Sequence, residues 1–106
     1  MTRHETYKHK AQIIKAMSHP SRLMVIDALA EGEKCVGDLQ QIVGSDMSTV
    51  SKHLSVLRNA GLVDDRKVGL QVFYSLRVPC IMNFFGCVEA VMAQDREAAE
   101  SLVTAE

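Results

Sequence analysis

Apolar residues recur every three or four positions along most of the chain, and a strand-like pattern appears in one segment only. One run covers residues 7–17, before Pro20, and a second covers residues 23–29. This spacing predicts two amphipathic helices. Ser18 is a candidate cap for the second helix, and Gly32 is a stop signal behind it.

Two further short helices follow. Apolar positions predict a helix over residues 36–43, closed by Gly44. Either Asp46 or Ser48 can cap the next helix, which ends at residues 59–61. About four residues separate the two, which is the spacing of a helix-turn-helix, and we assign this motif to residues 36–60.

The next segment, residues 62–76, has β-branched and aromatic residues on both sides of a polar turn that contains Gly69. This pattern predicts a β-hairpin. Pro79 then opens a long final helix with a wide apolar band over residues 81–92. A small domain has little interior to cover that band, so we expect part of it to form a subunit interface. The fold class is mainly α with one small hairpin (α+β).

Length and composition fit one globular domain over residues 1–106, with 24% charged and 47% hydrophobic residues. The longest mostly apolar stretch, residues 78–93, falls short of the ~20 apolar residues that span a bilayer. The polar N-terminal segment has no apolar signal-peptide core, so we expect a cytoplasmic protein. Net charge is −1, yet residues 48–77 carry +3, which favours a local anion-binding face.

The fourth helix carries side chains suited to nucleic acid. Hydroxyl and imidazole groups near a helix start can reach base edges or phosphates in the major groove, and Lys52 and Arg58 would supply phosphate contacts. Arg66 and Lys67 lie near the hairpin tip, which could follow the neighbouring groove. The same residues are also typical of an ordinary solvent-exposed helix and loop.

Four segments together resemble the ArsR/SmtB family of winged helix-turn-helix repressors: SHPSRL (18–23), KCVGDL (34–39), DMSTVSKHLSVLRNAGLV (46–63) and VGLQVFYSL (68–76). The resemblance covers about residues 10–93. It implies a homodimer formed through the first and last helices, residues 1–17 and 79–100, with the wing at residues 62–76. It also implies binding to double-stranded DNA with an imperfect inverted repeat as operator.

Carried over position by position, the resemblance implies which side chains contact DNA. The implied base or phosphate contacts are Ser48, Thr49, Ser51, Lys52 and His53, and the implied wing residues are Arg66, Lys67 and Gln71. For His53 a second interpretation stays open. Because it lies inside the helix beside Leu54, its ring could pack against the domain and orient its neighbours.

The family's metal sites match this chain only in part. Many sensors of thiophilic metals carry ELCVCDL in the third helix, whereas this chain keeps Cys35 and has Gly37 in place of the second cysteine. That paired-thiolate site cannot form as it stands. The zinc-type site of the last helix has no match, because no histidine follows Leu76. We expect His19 to be structural or a helix cap rather than a ligand.

Cys80 and Cys87 remain as candidate ligands beside Cys35. They are seven residues apart, or about 10.5 Å along an intact helix, which is too far for a disulfide. Soft ions select thiolates, and As(III) suits three sulfur ligands. The leading hypothesis is therefore that all three cysteines bind As(III) or another thiophilic metal ion as inducer, with no cofactor required for DNA binding.

Three alternatives stay open. Cys35 and one C-terminal cysteine could form a disulfide or polysulfide under oxidants or reactive sulfur species. The cysteines could also simply fill the core. Finally, the domain could be a winged-helix protein-interaction module, which would lack the steep salt dependence of DNA binding. We predict no enzymatic activity, because no glycine-rich phosphate loop, paired-acid motif or nucleophile elbow accompanies the cysteines.

Overall fold

The computed structural model describes the backbone of residues 1–104 and the side chains of residues 1–100; the last two residues of the predicted 1–106 domain lie outside it. The predicted fold class is confirmed: the described residues form five helices and a small antiparallel sheet. In chain order the elements are α1 (Arg3–Met17), α2 (Pro20–Ala30), β1 (Lys34–Cys35), α3 (Val36–Val43), α4 (Met47–Asn59), β2 (Val63–Val68), β3 (Gln71–Leu76) and α5 (Ile81–Thr104).

The cap of α2 differs from the one predicted. Nδ1 of His19 accepts a hydrogen bond from the backbone N–H of Ser21 at 3.0 Å, and Pro20 occupies the first turn, where its missing N–H costs nothing. Ser18 instead ends α1, and its backbone N–H donates to the carbonyl of Lys15. The prediction of Ser18 as cap was wrong, while the prediction of a structural role for His19 is confirmed.

The helix-turn-helix follows the sequence signals closely. Helix α3 ends at Gly44, whose φ of +82° is a left-handed conformation that favours glycine. Of the two candidate caps for α4, the structure selects Asp46, whose carboxylate accepts from the backbone N–H of Thr49. The three residues between the helices set the tight turn.

The sheet contains one strand more than the predicted hairpin. Its order is β1-β3-β2, with all pairs antiparallel. Strand β1 has only two residues, and it pairs Cys35 with Phe73 of β3. On the other side of β3, Phe73 pairs with Arg66 of β2. Directly opposite residues point to the same face of a sheet, so these three side chains form one row.

The core lies where α2, α3 and α4 meet the sheet. Its fully buried side chains include Ile26, Leu39, Leu54 and Val63. None of the helices within residues 1–104 combines the length and apolar character of a membrane span.

Helix α5 begins later than predicted and is largely uncovered. Pro79 and Cys80 form a turn ahead of it, because the N–H groups of residues 81–83 bond to carbonyls only three residues back. Along the helix, Phe84 is 45% exposed and Val91 is 57% exposed. Beside it, an apolar groove of about 480 Å³ runs between α1, α2 and α5, and Met17, Met24 and Met92 are among its lining residues.

Candidate nucleic-acid interface and cysteine positions

Helix α4 has one buried apolar face and one polar face. Val50, Leu54 and Leu57 are fully buried. Ser48, Ser51 and Lys52 are exposed, and Thr49 and His53 are half-buried. The N-terminal half of α4 therefore presents hydroxyl, ammonium and imidazole groups at one end of the domain.

Asp46 organises the start of this helix. Its carboxylate accepts hydrogen bonds from the hydroxyls of Ser48 and Thr49, both at 2.6 Å, and from the backbone N–H of Thr49 at 3.2 Å. These bonds stabilise the charged form, with the one from Ser48 strongest, and lower the pKa of Asp46 to about 2. The two hydroxyls predicted to contact DNA are thus oriented as donors to a fixed anion.

Arg58, predicted as a phosphate contact, connects α4 to the wing. Its Nη1 lies 3.0 Å from a carboxylate oxygen of Asp65 in β2, and both side chains are partly exposed. This ion pair joins the end of α4, which we call the recognition helix, to β2, the first strand of the wing. It holds the two candidate DNA-contacting elements side by side.

Arg66 has two partners within the domain, Glu33 and Phe73. Its guanidinium donates two hydrogen bonds to the carboxylate of Glu33, 2.8 Å from Nε and 2.5 Å from Nη2, and it lies 5.3 Å from the ring centroid of Phe73. The hydrogen bonds from Arg66 lower the pKa of Glu33, and those with Glu33 raise the pKa of Arg66. The wing arginine is thus charged and fixed in place by the segment just before β1.

Lys67 and Gln71 lie at the hairpin tip and are exposed. Between β2 and β3 is a two-residue turn at Gly69 and Leu70, with Gly69 at φ +61° and Leu70 100% exposed. This tip extends into solvent, as a wing that reaches a neighbouring groove would.

The side chain of His53 contacts two residues at the start of α2, Arg22 and His19. Its Nδ1 lies 3.3 Å from Nη1 of Arg22, and its ring centroid lies 4.3 Å from that of His19. Burial, more than the nearby charges of His19 and Arg22, lowers the pKa of His53. The interpretation of His53 as a residue packed against the domain has this geometric support, and contact with DNA stays a prediction.

Sequence reasoning missed three partners of the predicted DNA-contacting residues: Arg22, Glu33 and Asp65. Glu33 and Asp65 carry the negative charge that pairs with Arg66 and Arg58, and Arg22 carries the donor that pairs with His53. Arg22 lies within the SHPSRL segment, but no sequence signal near it indicates contact with His53, 31 residues away.

The three cysteines occupy different environments. Cys35 is half-buried at the N-terminus of α3, and its thiol makes no capping hydrogen bond. Cys80, in the turn before α5, and Cys87, within α5, are exposed. Among the residues that the structure describes, no three His, Cys, Asp or Glu side chains are grouped as in a metal site of a single chain. A three-cysteine site, within one subunit or between two, stays a prediction.

A shallow cleft of about 410 Å³ connects the surroundings of two of these cysteines. Glu33, two residues before Cys35, and Pro79, directly before Cys80, both line it, together with Met82. The segment just before β1 and the segment just before α5 therefore lie at the same edge of the domain.

Known proteins resemble this chain in sequence and in structure. The family model described as "Bacterial regulatory protein, arsR family" matches residues 19–65. The biofilm growth-associated repressor of Xylella fastidiosa is 43% identical over 79 residues, which are 72% of this chain and 69% of the relative.

Two solved structures share the fold over nearly the whole domain. NolR from Sinorhizobium fredii superimposes with a TM-score of 0.77 and 32% identity, covering 86% of this chain and 93% of that one. The homodimeric winged helix-turn-helix DNA-binding domain of a possible ArsR-family regulator from Mycobacterium bovis gives a TM-score of 0.76 at 26% identity, covering 92% and 93%. The chain belongs to the arsR family of bacterial regulatory proteins and is, as a member of that family, a winged helix-turn-helix DNA-binding transcriptional repressor.

Proposed function

We propose that the chain acts as a homodimer that binds an inverted-repeat operator through α4 and the hairpin, and that an inducer sensed by cysteine thiols releases it. The observation that carries the DNA-binding part is the Arg58–Asp65 ion pair. It connects the C-terminal end of α4 to the first strand of the wing, an arrangement in which the helix could enter the major groove while the tip follows the adjacent groove.

Salt dependence tests this binding. A fluorescein-labelled duplex from the region upstream of the chain's own gene is titrated at several salt concentrations. We expect affinity to fall by orders of magnitude from low to moderate salt, and Lys52→Gln to make the log–log slope about one unit shallower per subunit. Flat salt dependence, or no binding at low salt, would favour the protein-interaction module instead.

The dimer is supported by the uncovered apolar surface of α5 and by the homodimeric relative from Mycobacterium bovis. Phe84, Val88 and Val91 are each at least 43% exposed in the single chain, beside the apolar groove with α1. We expect Val91→Arg to convert the dimer to a monomer in light-scattering measurements. Leu70→Arg, at the fully exposed hairpin tip, is the matched control and is expected to leave the dimer intact.

For the inducer we propose As(III), or another thiophilic ion, bound by Cys35, Cys80 and Cys87. Binding of arsenous acid to three thiols forms three As–S bonds and releases three waters, with no change of oxidation state. The row Cys35–Phe73–Arg66 across the sheet supports Cys35 as a sensor residue, because it places the residue that carries the thiol in line with the wing. Ligation that moves β1 would disturb both Phe73 and the Glu33 partner of Arg66.

A second candidate uses the same thiols for redox sensing. We choose Cys35 and Cys80 as the pair because Glu33 and Pro79, from the segments just before them, line the same cleft, which neither cysteine lines itself. Disulfide formation would remove two electrons and two protons from the thiols, and a peroxide would accept them and become water or alcohol. A polysulfide would instead leave one sulfur atom between the same two thiols as a trisulfide, while its outer sulfur atoms accept the two electrons and two protons and leave as hydrogen sulfide.

Serine substitutions separate the two mechanisms. With reduced protein on the upstream duplex, arsenite is expected to release DNA, and excess dithiol to restore binding. For a three-sulfur site, Cys35→Ser, Cys80→Ser and Cys87→Ser should each abolish the response. For a redox pair, peroxide should release DNA and Cys87→Ser should respond normally. Tight binding that neither reagent relieves would contradict both.

A further inference from the structure

One arginine and two histidines connect three helices of the domain. Nε of Arg22 donates to the carbonyl of Ala16, in the last turn of α1, at 2.6 Å. The other side of the same guanidinium lies 3.3 Å from Nδ1 of His53 in α4. The ring of His19, which caps α2, packs against the ring of His53. Arg22 thus joins the end of α1 to the middle of the recognition helix.

The hydrogen bonds determine where each ring carries its proton. A guanidinium can only donate, so Nδ1 of His53 must be the acceptor, and the ring is neutral with its hydrogen on Nε2. His19 is in the same state, because its Nδ1 accepts from the backbone N–H of Ser21. The one N–H that His53 offers to any other partner is therefore Nε2–H.

We propose that Arg22 is a positioning residue for DNA recognition: it orients His53 and fixes the tautomer in which Nε2–H is available to donate to a base edge or a phosphate oxygen. The proposal rests on operator binding through α4, as proposed above. Guanine N7 and O6, adenine N7 and phosphate oxygens are all acceptors that such a donor could contact. In metal sites a partner on one ring nitrogen likewise sets the state of the other.

The electrostatics around the ring agree with this state. Burial lowers the pKa of His53 most, and the charge that His19 would carry when protonated and the charge of Arg22 act in the same direction. From α1, the Ala16 carbonyl is already occupied by Arg22. A neutral imidazole ring has one acceptor nitrogen, so the hydrogen bond from Arg22 can select one of its two tautomers. A protonated ring has no acceptor and could not receive this bond.

The first test measures the tautomer directly. In the full chain labelled with ¹⁵N-histidine, long-range proton–nitrogen correlation spectra at pH 7.5 are expected to show His53 with Nε2 protonated. Arg22→Gln should give a mixture of the two tautomers and raise the pKa of His53, because a nearby cation has been removed. A wild-type ring protonated on Nδ1 would overturn the proposal, and this result requires no variant to fold.

The second test asks whether Arg22 acts through His53. On the upstream duplex at pH 7.5, Arg22→Gln is expected to lower affinity about tenfold, the order of one lost hydrogen bond to a charged group. In a His53→Ala background, the same change should cost less than about threefold, since coupled residues are not additive. Arg3→Gln, at the exposed start of α1, is the control, and it measures how much DNA affinity is lost when one positive charge is removed.

Each result has one interpretation. An equal loss from Arg22→Gln in both backgrounds means that Arg22 acts elsewhere, for example by holding Ala16, and overturns the proposal while leaving operator binding intact. A wild-type chain that binds neither this duplex nor random DNA at low salt contradicts operator binding itself, and the positioning role is lost with it.

Discussion

The carboxylate of Glu33 binds the guanidinium of Arg66 through two hydrogen bonds, although 33 residues separate them in the chain. Glu33 lies just before the strand that carries Cys35, and Arg66 lies on the wing. The wing arginine predicted to contact DNA is therefore engaged by an internal anion that competes with phosphate for the same donors.

Removing this anion is expected to strengthen DNA binding. Glu33→Gln keeps the size of the side chain but not its charge, so Arg66 becomes free to contact a phosphate. Affinity for duplex DNA should rise a few-fold, with the log–log salt slope about one unit steeper per subunit. Arg66→Gln should shift both quantities the opposite way. If Glu33→Gln weakens binding, the pair serves to aim Arg66 rather than to restrain it.

We expect the stability of the domain to fall in acid when Asp46 is protonated. Its pKa of about 2 lies below the ordinary 3.8, so its stabilisation is present above about pH 4 and is lost as pH falls toward 2. Asp46→Ala should lower Tm at pH 7 by about 5 °C through loss of the cap. Asp46→Asn keeps a good cap and should retain most of that Tm, with a weaker fall between pH 4 and pH 2.

Thermal unfolding followed by circular dichroism between pH 2 and pH 7 measures both effects. The comparison with asparagine separates capping from charge, because asparagine caps helices as well as aspartate does. Equal acid sensitivity of the wild type and Asp46→Asn would show that another carboxyl, such as Glu33, controls the acid transition.

His53 predicts a second pH dependence, at milder acidity. Its pKa in the folded chain is below the unfolded value of 6.5, so the unfolded state binds the proton more readily. Stability is therefore expected to fall as pH drops below about 6.5, until both states are protonated. His53→Asn retains an acceptor for Arg22 but does not titrate, and urea midpoints between pH 7.5 and pH 5 should vary less for it. A parallel decline in both proteins would assign the effect to other groups.

The recognition helix offers a matched pair of core and surface substitutions. Leu54 is fully buried, whereas Val56, two residues along, is 38% exposed. Leu54→Ala is expected to destabilise the domain by about 2–5 kcal/mol, which includes the cavity it leaves. Val56→Ala should cost less than about 1 kcal/mol. Urea unfolding of both variants measures the two losses of stability. Similar losses would contradict the orientation of α4 in which Leu54 faces the core and Val56 faces solvent.

The end of α3 and the hairpin turn were predicted well, because each contains a glycine, which is a strong local signal. Both glycines adopt the positive φ that favours this residue. It could not predict β1, since two residues are too few to show an alternation and their pairing partner lies in β3. The cap of α2 was assigned to Ser18 rather than to His19, because imidazole is not among the common capping groups, although Nδ1 of His19 accepts the bond as an oxygen would.

The candidate interface was predictable in residue type but not in its internal partners. Arg58 and Arg66 were identified from charge and position alone. Their carboxylate partners lie 7 and 33 residues away, and only the folded chain brings them together. For the same reason the engagement of His53 by Arg22, across 31 residues, has no local sequence signal.

Gly37 provides a test of whether the Cys35 site can be converted into a paired-thiolate site. A Cβ built at Gly37 would meet only Sγ of Cys35, at 3.9 Å, which is an ordinary van der Waals distance. The residue is exposed and its φ lies outside the left-handed region, so a side chain is accommodated without strain. Gly37→Cys should therefore fold normally, with Tm equal to or above that of the wild type, because glycine disfavours helix.

Two neighbouring thiols at the start of α3 should bind arsenite more tightly than Cys35 does with its present neighbours. We expect calorimetric titration under a phosphine reductant to show affinity at least roughly tenfold higher for Gly37→Cys, because the second As–S bond forms within the chain. Gly37→Ser supplies the same bulk without sulfur and is the matched control. If both variants bind arsenite equally, the thiol of Cys35 is not accessible to a ligand at this position, and Cys35 is not part of the inducer site.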